Sequence, residues 1–312
     1  MKPKSLLLIG GTGFFGKSIL KYFSNSKSLK KKINKIIIIS RKKLEKVDHV
    51  IKLKKNYDVV KINCDILKLK KLPFADYVIY CVILKNFKDD FLAVKNYVNL
   101  AKIYHRNSKI LYTSSGAVYG VQKKIRGFKE NHLILNKKIN FRRGYKKSYS
   151  HFKLKSERLF QGLASSGLKV SIARCFSFVG EFLPLNSHYV IGNLIKNILD
   201  KKKIIIKANY KIYRSYMHSN DLVKWLIKIL DYSNNKCPIY NIGSEKKVTI
   251  SQIVKFLAKK YKLQFKIPEI SLKKIDIYIP NVYKAKKELN LINGLDSIKN
   301  IIKTISLIKK TI

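Results

Sequence analysis

Residues 5–16 read SLLLIGGTGFFG. The apolar run SLLLIG (5–10) stops at glycines, the mark of a short strand buried on both faces. After it, apolar residues recur at Phe14, Phe15, Ile19, Leu20 and Phe23, the spacing of one helical face. A strand therefore runs into a helix through a glycine turn. Gly10 permits the tight turn, Gly13 lets the backbone approach a ligand, and Gly16 lets the helix pack closely on the strand. Unpaired N–H groups and the dipole at a helix N-terminus favour an anion, so the expected guest is a dinucleotide pyrophosphate. The cofactor contacts expected here are Gly10, Gly13, Phe14, Phe15 and Gly16.

Working outward, KIIIIS (35–40), DVVKIN (58–63), DYVIYCV (76–82), KILYTSS (109–115) and KVSIAR (169–174) read as further buried strands. Helices fit 14–24, 88–105 and roughly 150–166. Alternating strands and helices, with strands apolar on both faces, predict an α/β fold: a Rossmann-type, doubly wound parallel sheet. Past residue 175 the pattern loosens. Helices fit about 187–200, 219–231, 250–261 and 296–309, with short strands near 204–207 and 239–242. The expected division is a dinucleotide domain over 1–175, with a returning segment about 211–243. A smaller C-terminal substrate-binding lobe takes about 176–210 and 244–312.

The 312 residues are 46% hydrophobic, enough for a sizeable core. No apolar run reaches the roughly 18 residues of a membrane span, and the N-terminal apolar run is too short for a signal peptide. The four cysteines, Cys64, Cys81, Cys175 and Cys237, form no metal-type pair. They read as reduced thiols of a cytoplasmic protein with no bound metal. The net charge of +49 invites a nucleic-acid reading. Yet the cations are 59 Lys and only 8 Arg, spread along the whole chain among Ile and Asn. Planar recognition of phosphates and bases favours Arg, so a solvated basic surface that attracts anionic substrates is the better reading.

A catalytic motif needs context here, because Tyr-x-x-x-Lys starts at Tyr57, Tyr119, Tyr149, Tyr232 and Tyr283. Only Tyr149–Lys153 follows a serine-ended strand and opens a predicted helix. The spacing G-x-x-G-x-x-G resembles the extended short-chain dehydrogenase/reductase family, the NAD-dependent epimerases, dehydratases and reductases of nucleotide sugars. Along the chain, YTSSGAVYG (112–120), YSHFKLKSE (149–157), RCFSFVG (174–180), RSYMHSNDLV (214–223), YNIGSEKKVTISQI (240–253) and KAKKELN (284–290) resemble family segments in the family's order. One departure is the long stretch between Ser115 and Tyr149, where KKINFRRGYKKS (137–148) reads as an insertion.

The residue types suit hydride transfer between a dinucleotide and a sugar carbon. A ketone being reduced needs a proton for its developing alkoxide, and the reverse reaction needs a base. A free tyrosine titrates at about 10, and an ammonium one helical turn away is expected to lower that value. Tyr149 and Lys153 are therefore the expected catalytic pair. Ser115 would hydrogen-bond the reacting oxygen, with Thr113 and Ser114 as neighbouring competitors. By resemblance, Lys153 also holds the nicotinamide ribose and Asp65 contacts adenine. The second strand ends in Ser40 and Arg41 and lacks the carboxylate that binds an NAD ribose. Arg41 could pair with a 2′-phosphate, so NADP(H) is favoured over NAD(H).

By resemblance, Arg174, Ser177 and Arg214 line the substrate diphosphate site together with Ser115, although the family has Asn where Ser177 stands. The family's 4,6-dehydratases carry an Asp-Glu pair where this chain has Gly116 and Ala117, which cannot transfer a proton. What remains is a reductase or a 4-epimerase. The stretch 173–195 most resembles nucleotide-activated 4-keto-6-deoxyhexose reductases such as dTDP-4-dehydro-6-deoxyglucose reductase. A homodimer is what the resemblance implies, and the residues themselves give no sign of it. The rival from another class is a relative that has lost catalysis and binds RNA.

Overall fold

The computed structural model describes residues 4–44, 47–121, 127–132, 144–186, 189–292 and 294–311. Strand β1 (Lys4–Ile9) leads through the glycine turn into α1 (Phe14–Asn25), followed by a short α2 (Lys27–Lys32) and β2 (Ile33–Ser40). Next come α3 (Asp48–Asn56), β3 (Asp58–Asn63), β4 (Tyr77–Tyr80), α4 (Phe87–Tyr104) and β5 (Lys109–Ser115). Then α5 (Tyr145–Ser165) leads into β6 (Lys169–Cys175). The sheet order is β3-β2-β1-β4-β5-β6, extended at the β6 edge by β11 (Ile239–Ile242). The pairings from β3 through β6 are all parallel. The order reverses direction between β1 and β4, the crevice where doubly wound sheets bind ligands.

Both sheet faces are covered. Leu7, Ile37, Val78, Ile110 and Val170 share one core with Val94, Tyr97 and Phe160 of α4 and α5. Leu6 and Ile79, with the opposite pleat, meet Phe23 of α1 and Ile227 and Leu230 from the helix Ser219–Asp231 about a small void. Strand β3 differs from expectation. None of its residues is buried, and Val60 is 36% exposed. The reason is position: β3 is the last strand at the sheet edge, with β2 as its neighbour on one side and no strand on the other.

Helix α5 also starts earlier than expected. Gly144, with φ 61°, breaks the preceding chain, and the residues after it, expected as part of an insertion, form the helix's first turn. Residues 137–143 of that expected insertion lie outside the described residues. So do Ser187 and His188, at the start of the helix expected from 187.

The chain divides into two compact units. One comprises 1–120, 141–175 and 223–240; the other comprises 121–140, 176–222 and 241–312. In the second unit lie β7 (Phe178–Val179), α6 (Val190–Leu199), β8 (Ile204–Ile205), β9 (Tyr210–Arg214) and β10 (Met217–His218). Helix α7 (Ser219–Asp231) and β11 carry the chain across the first unit and back. The second unit resumes with β12 (Val248–Thr249), α8 (Ile250–Tyr261), β13 (Phe265–Lys266), β14 (Ser271–Tyr278), α9 (Tyr283–Leu289) and α10 (Ser297–Lys309). A three-stranded sheet places β9 between antiparallel β12 and parallel β14. Helix α8 begins at residue 250 because Thr249 and Gln252 form a capping box, each side chain accepting the other's backbone N–H. Among the described residues no helix is long and apolar enough to cross a membrane.

Candidate active site

The glycine turn is shaped by close backbone approaches. Gly10 has φ +100°, and a Cβ there would sit 3.0 Å from the backbone of Cys81 at the end of β4. A Cβ at Gly16 would overlap the Gly10 carbonyl oxygen and the Gly11 backbone. These are main-chain atoms and cannot swing aside. Gly16→Ala is expected to destabilise the protein by about 1–3 kcal/mol, the usual range for an overpacked site, and to weaken dinucleotide binding. A thermal melt and a dinucleotide titration check both.

Gly13 is different. A Cβ there would touch only the Gly10 carbonyl oxygen, at 3.6 Å, so its outer face is open. Gly13 N-caps α1 without a side-chain cap, and no acidic residue stands in the first turn, which Phe14 and Phe15 begin. The first N–H groups of a helix have no partner inside it. An uncapped, acid-free helix start behind an open glycine face suits a pyrophosphate. The residues present therefore fit a dinucleotide.

At the C-terminal end of β5 the three consecutive hydroxyls have separate partners. Thr113 Oγ1 donates to the Tyr80 carbonyl (3.1 Å), and Ser114 Oγ donates to Glu157 Oε1 (2.6 Å). Ser115 Oγ accepts the Ala117 N–H (3.2 Å) and is hydrogen-bonded to Tyr149. Of the three, Ser115 is the one hydrogen-bonded to the tyrosine. The Tyr149 ring packs on Phe87 at the start of α4, centroids 5.4 Å apart.

Lys153 lies one turn along α5 and is 4% exposed. Its Nζ donates to Tyr112 Oη (3.1 Å) and stands 3.5 Å from Asp90 Oδ2. Burial works to lower the Lys153 pKa, but its neighbours outweigh it, Asp90 by its charge and Tyr112 by accepting its hydrogen bond, and hold the lysine charged. Burial pushes the Tyr112 phenol up to about 12, so it remains a neutral acceptor. The expected pull of Lys153 on Tyr149 is present but does not set the net direction. Burial raises its pKa above the ordinary value, and Asp90 and Cys175 add to that; Lys153 and the Ser115 hydrogen bond oppose it without overcoming it. The net direction keeps the Tyr149 phenol protonated near neutral pH.

Arg174 was expected at the substrate diphosphate. It is 3% exposed, with Nη2 2.7 Å from Glu157 Oε2, Nε 3.0 Å from Glu157 Oε1, and Nη1 donating to Tyr119 Oη. It is an internal strut between β6 and α5. Asp65 caps a short 3₁₀ turn by accepting the Leu67 N–H (3.0 Å), and its second oxygen lies 3.7 Å from Arg41 Nη1. Ser40 is nearly buried, and its hydroxyl turns onto the Lys42 carbonyl. In the second unit, Arg214 grips Asp276 through both terminal nitrogens (3.2 and 3.1 Å). Ser177, just before β7, receives the Met217 N–H on its backbone carbonyl. Asp90 was missed from the sequence. Its signal was faint: a carboxylate in the first turn of a predicted helix, in a chain with only 18 Asp and Glu.

The model of the NAD dependent epimerase/dehydratase family matches residues 6–243, and the chain belongs to that family. A search of the curated proteins found no match. Three solved structures are similar over the whole length. A dTDP-glucose 4,6-dehydratase from Bacillus anthracis, solved with NAD, has a TM-score of 0.79 at 16% identity, covering 98% of this chain and 97% of that one. A UDP-glucose 4-epimerase from Thermotoga maritima, solved with UDP-glucose, has a TM-score of 0.76 at 17% identity, covering 98% and 99%. A UDP-N-acetylglucosamine 4-epimerase from Methanobrevibacter ruminantium has a TM-score of 0.73 at 18% identity, covering 100% of both. At such identities they establish the shared fold.

Proposed function

We propose that this protein is an NAD(P)-dependent nucleotide-sugar oxidoreductase, a 4-keto-6-deoxyhexose nucleotide reductase using NADP(H). The observation that carries the reading is the placement of Tyr149 on α5, hydrogen-bonded to Ser115 at the end of β5, with Lys153 one turn further along the same helix. Reduction of a ketone needs a proton at the developing alkoxide, and this arrangement stores one there. Ser115 shares the same oxygen, and the Lys153 charge favours the phenolate left behind. When bound, the dinucleotide supplies the hydride. Gly10, Gly13 and the start of α1 would hold its pyrophosphate, and Lys153 its nicotinamide ribose. Gly116 and Ala117 offer no acid or base for dehydration.

The NADP(H) preference rests on Arg41. Its pair with Asp65 is long, and its side chain is 61% exposed. Such surface pairs are weak, and a 2′-phosphate dianion would compete well for the guanidinium. Arg214 is the residue assigned to the substrate diphosphate, with Asp276 holding its plane. In this reading the first unit binds the dinucleotide and the second the sugar nucleotide. The enzyme would work in the cytoplasm as a homodimer.

The second reading is a 4-epimerase, the activity named for two of the similar structures. One experiment separates the readings. The purified protein is denatured, any released dinucleotide is identified, and the emptied protein is titrated with NADH and NADPH. The expected result is an empty protein that prefers NADPH and turns over 4-keto-6-deoxy nucleotide sugars. Retained NAD would mean an internal hydride cycle and an epimerase. No affinity for either cofactor, together with salt-steep RNA binding, would replace both with an RNA-binding protein.

A further inference from the structure

The site contains a carboxylate that the chemistry above does not use. Asp90 sits in the first turn of α4 and is 3% exposed. A buried carboxylate is costly unless it is paired and hydrogen-bonded. Its Oδ1 accepts the Leu84 N–H (2.9 Å), which fixes the segment leaving β4, and its Oδ2 faces Lys153 Nζ at 3.5 Å. One side chain therefore ties the β4–α4 connection to the catalytic helix. The lysine it holds is the one beside Tyr149.

We propose that Asp90 is a positioning residue of the active site: its carboxylate fixes the Lys153 ammonium and balances its charge next to Tyr149. The proposal rests on the catalytic assignment of Tyr149 and Lys153 and deepens it. A lone buried ammonium would draw the Tyr149 proton off. With Asp90 present the local charge is close to neutral, and the phenol keeps its proton. The other groups facing this centre are Tyr112 of β5 and the thiols Cys81 and Cys175 at the ends of β4 and β6. Burial raises both thiols, Cys81 to about 12, and Tyr112 titrates equally high. All three stay neutral near pH 7, so Asp90 is the anion that balances Lys153.

The test is the titration of Tyr149 without substrate, read as the tyrosinate absorbance of the intact protein minus that of its Tyr149→Phe variant. The same difference is then taken with Asp90→Asn in both proteins. Asp90→Asn keeps the side chain's size and an acceptor for Leu84. It is expected to move the Tyr149 midpoint to lower pH by about one unit, a tenfold gain in phenolate fraction below the midpoint. Asp90→Glu, which restores the charge, is expected to return the midpoint toward its original value. The limb of any pH–rate profile governed by Tyr149 should move the same way, in reduction or in oxidation. Coincident midpoints for Asp90→Asn and the parent would overturn the proposal and leave Asp90 as a tie for Leu84 alone.

A stability cycle covers the case in which Asp90→Asn does not fold. Lys153→Met strands a buried carboxylate, so the double variant Lys153→Met with Asp90→Asn should melt above Lys153→Met alone. Additive losses would overturn the pairing. Because neither readout needs turnover, failure of the proposed reaction would leave this result standing, and failure of this result would not touch the reaction.

Discussion

Tyr149→Phe is expected to reduce turnover by about 10²–10⁴-fold, the range contributed by a positioned proton donor, while dinucleotide binding persists. The substitution removes one oxygen from a ring that packs on Phe87, so the fold has little reason to change. Three features make the loss large. Ser114 is committed to Glu157 and Thr113 to the Tyr80 carbonyl. Tyr112 faces Lys153 from inside the core with no exposed atom to offer substrate. The two thiols near the centre are engaged elsewhere: Cys81 Sγ donates to the Ile9 carbonyl and Cys175 Sγ to the Ala173 carbonyl. Turnover is measured at saturating substrate, and dinucleotide affinity by fluorescence titration. Full activity in the variant would remove Tyr149 from the mechanism.

The largest stability effect is expected at Glu157. Glu157→Ala strands the Arg174 guanidinium, whose carboxylate partner lies 2.7 Å away and is 1% exposed. Removing one partner of a buried pair costs about 3–5 kcal/mol, because the remaining charge stays out of water. Ser114 loses its acceptor as well. Tyr119 remains as an acceptor for Arg174 Nη1, but a neutral phenol does not replace the charge of the carboxylate. A urea midpoint measures the loss. An unchanged midpoint would mean that the guanidinium reaches solvent, and the diphosphate role expected for it would be open again.

The contrast between these two residues shows what the sequence carries. Strand β5 at 109–115 and the helices at 219–231 and 250–261 match their expected bounds. Their signals are local: an apolar run closed by serines, an amphipathic period, and a Thr-x-x-Gln cap. The places of Ser115 at a strand end and of Tyr149 and Lys153 on a helix were legible for the same reason, since each follows from its own local element. The polarity of Tyr149 was not legible. Its sign is decided by burial and by a carboxylate on another helix, and neither is written next to the tyrosine. The inward turn of Arg174 was not legible because its partner on α5 comes from a different element. The clue was available, as Glu157 follows Lys153 by one turn. Strand β14 was missed because lysines interrupt its apolar alternation; β9 supplies the pairing that the segment alone does not announce.

The two buried ion pairs also bear on how this chain tolerates its own charge. With 67 cationic residues against 18 acidic ones, most lysines have no counter-charge to meet. Two cations that are deeply enclosed, Lys153 and Arg174, each have a carboxylate of their own. The imbalance is therefore displaced outward, into solvent, where mobile anions screen it over about 8–10 Å at ordinary ionic strength. The compact state works against its own repulsion in dilute buffer and is relieved by salt. Surface positions can go on exchanging toward lysine with little consequence, while Asp90 and Glu157 are held in place by the cations beneath them.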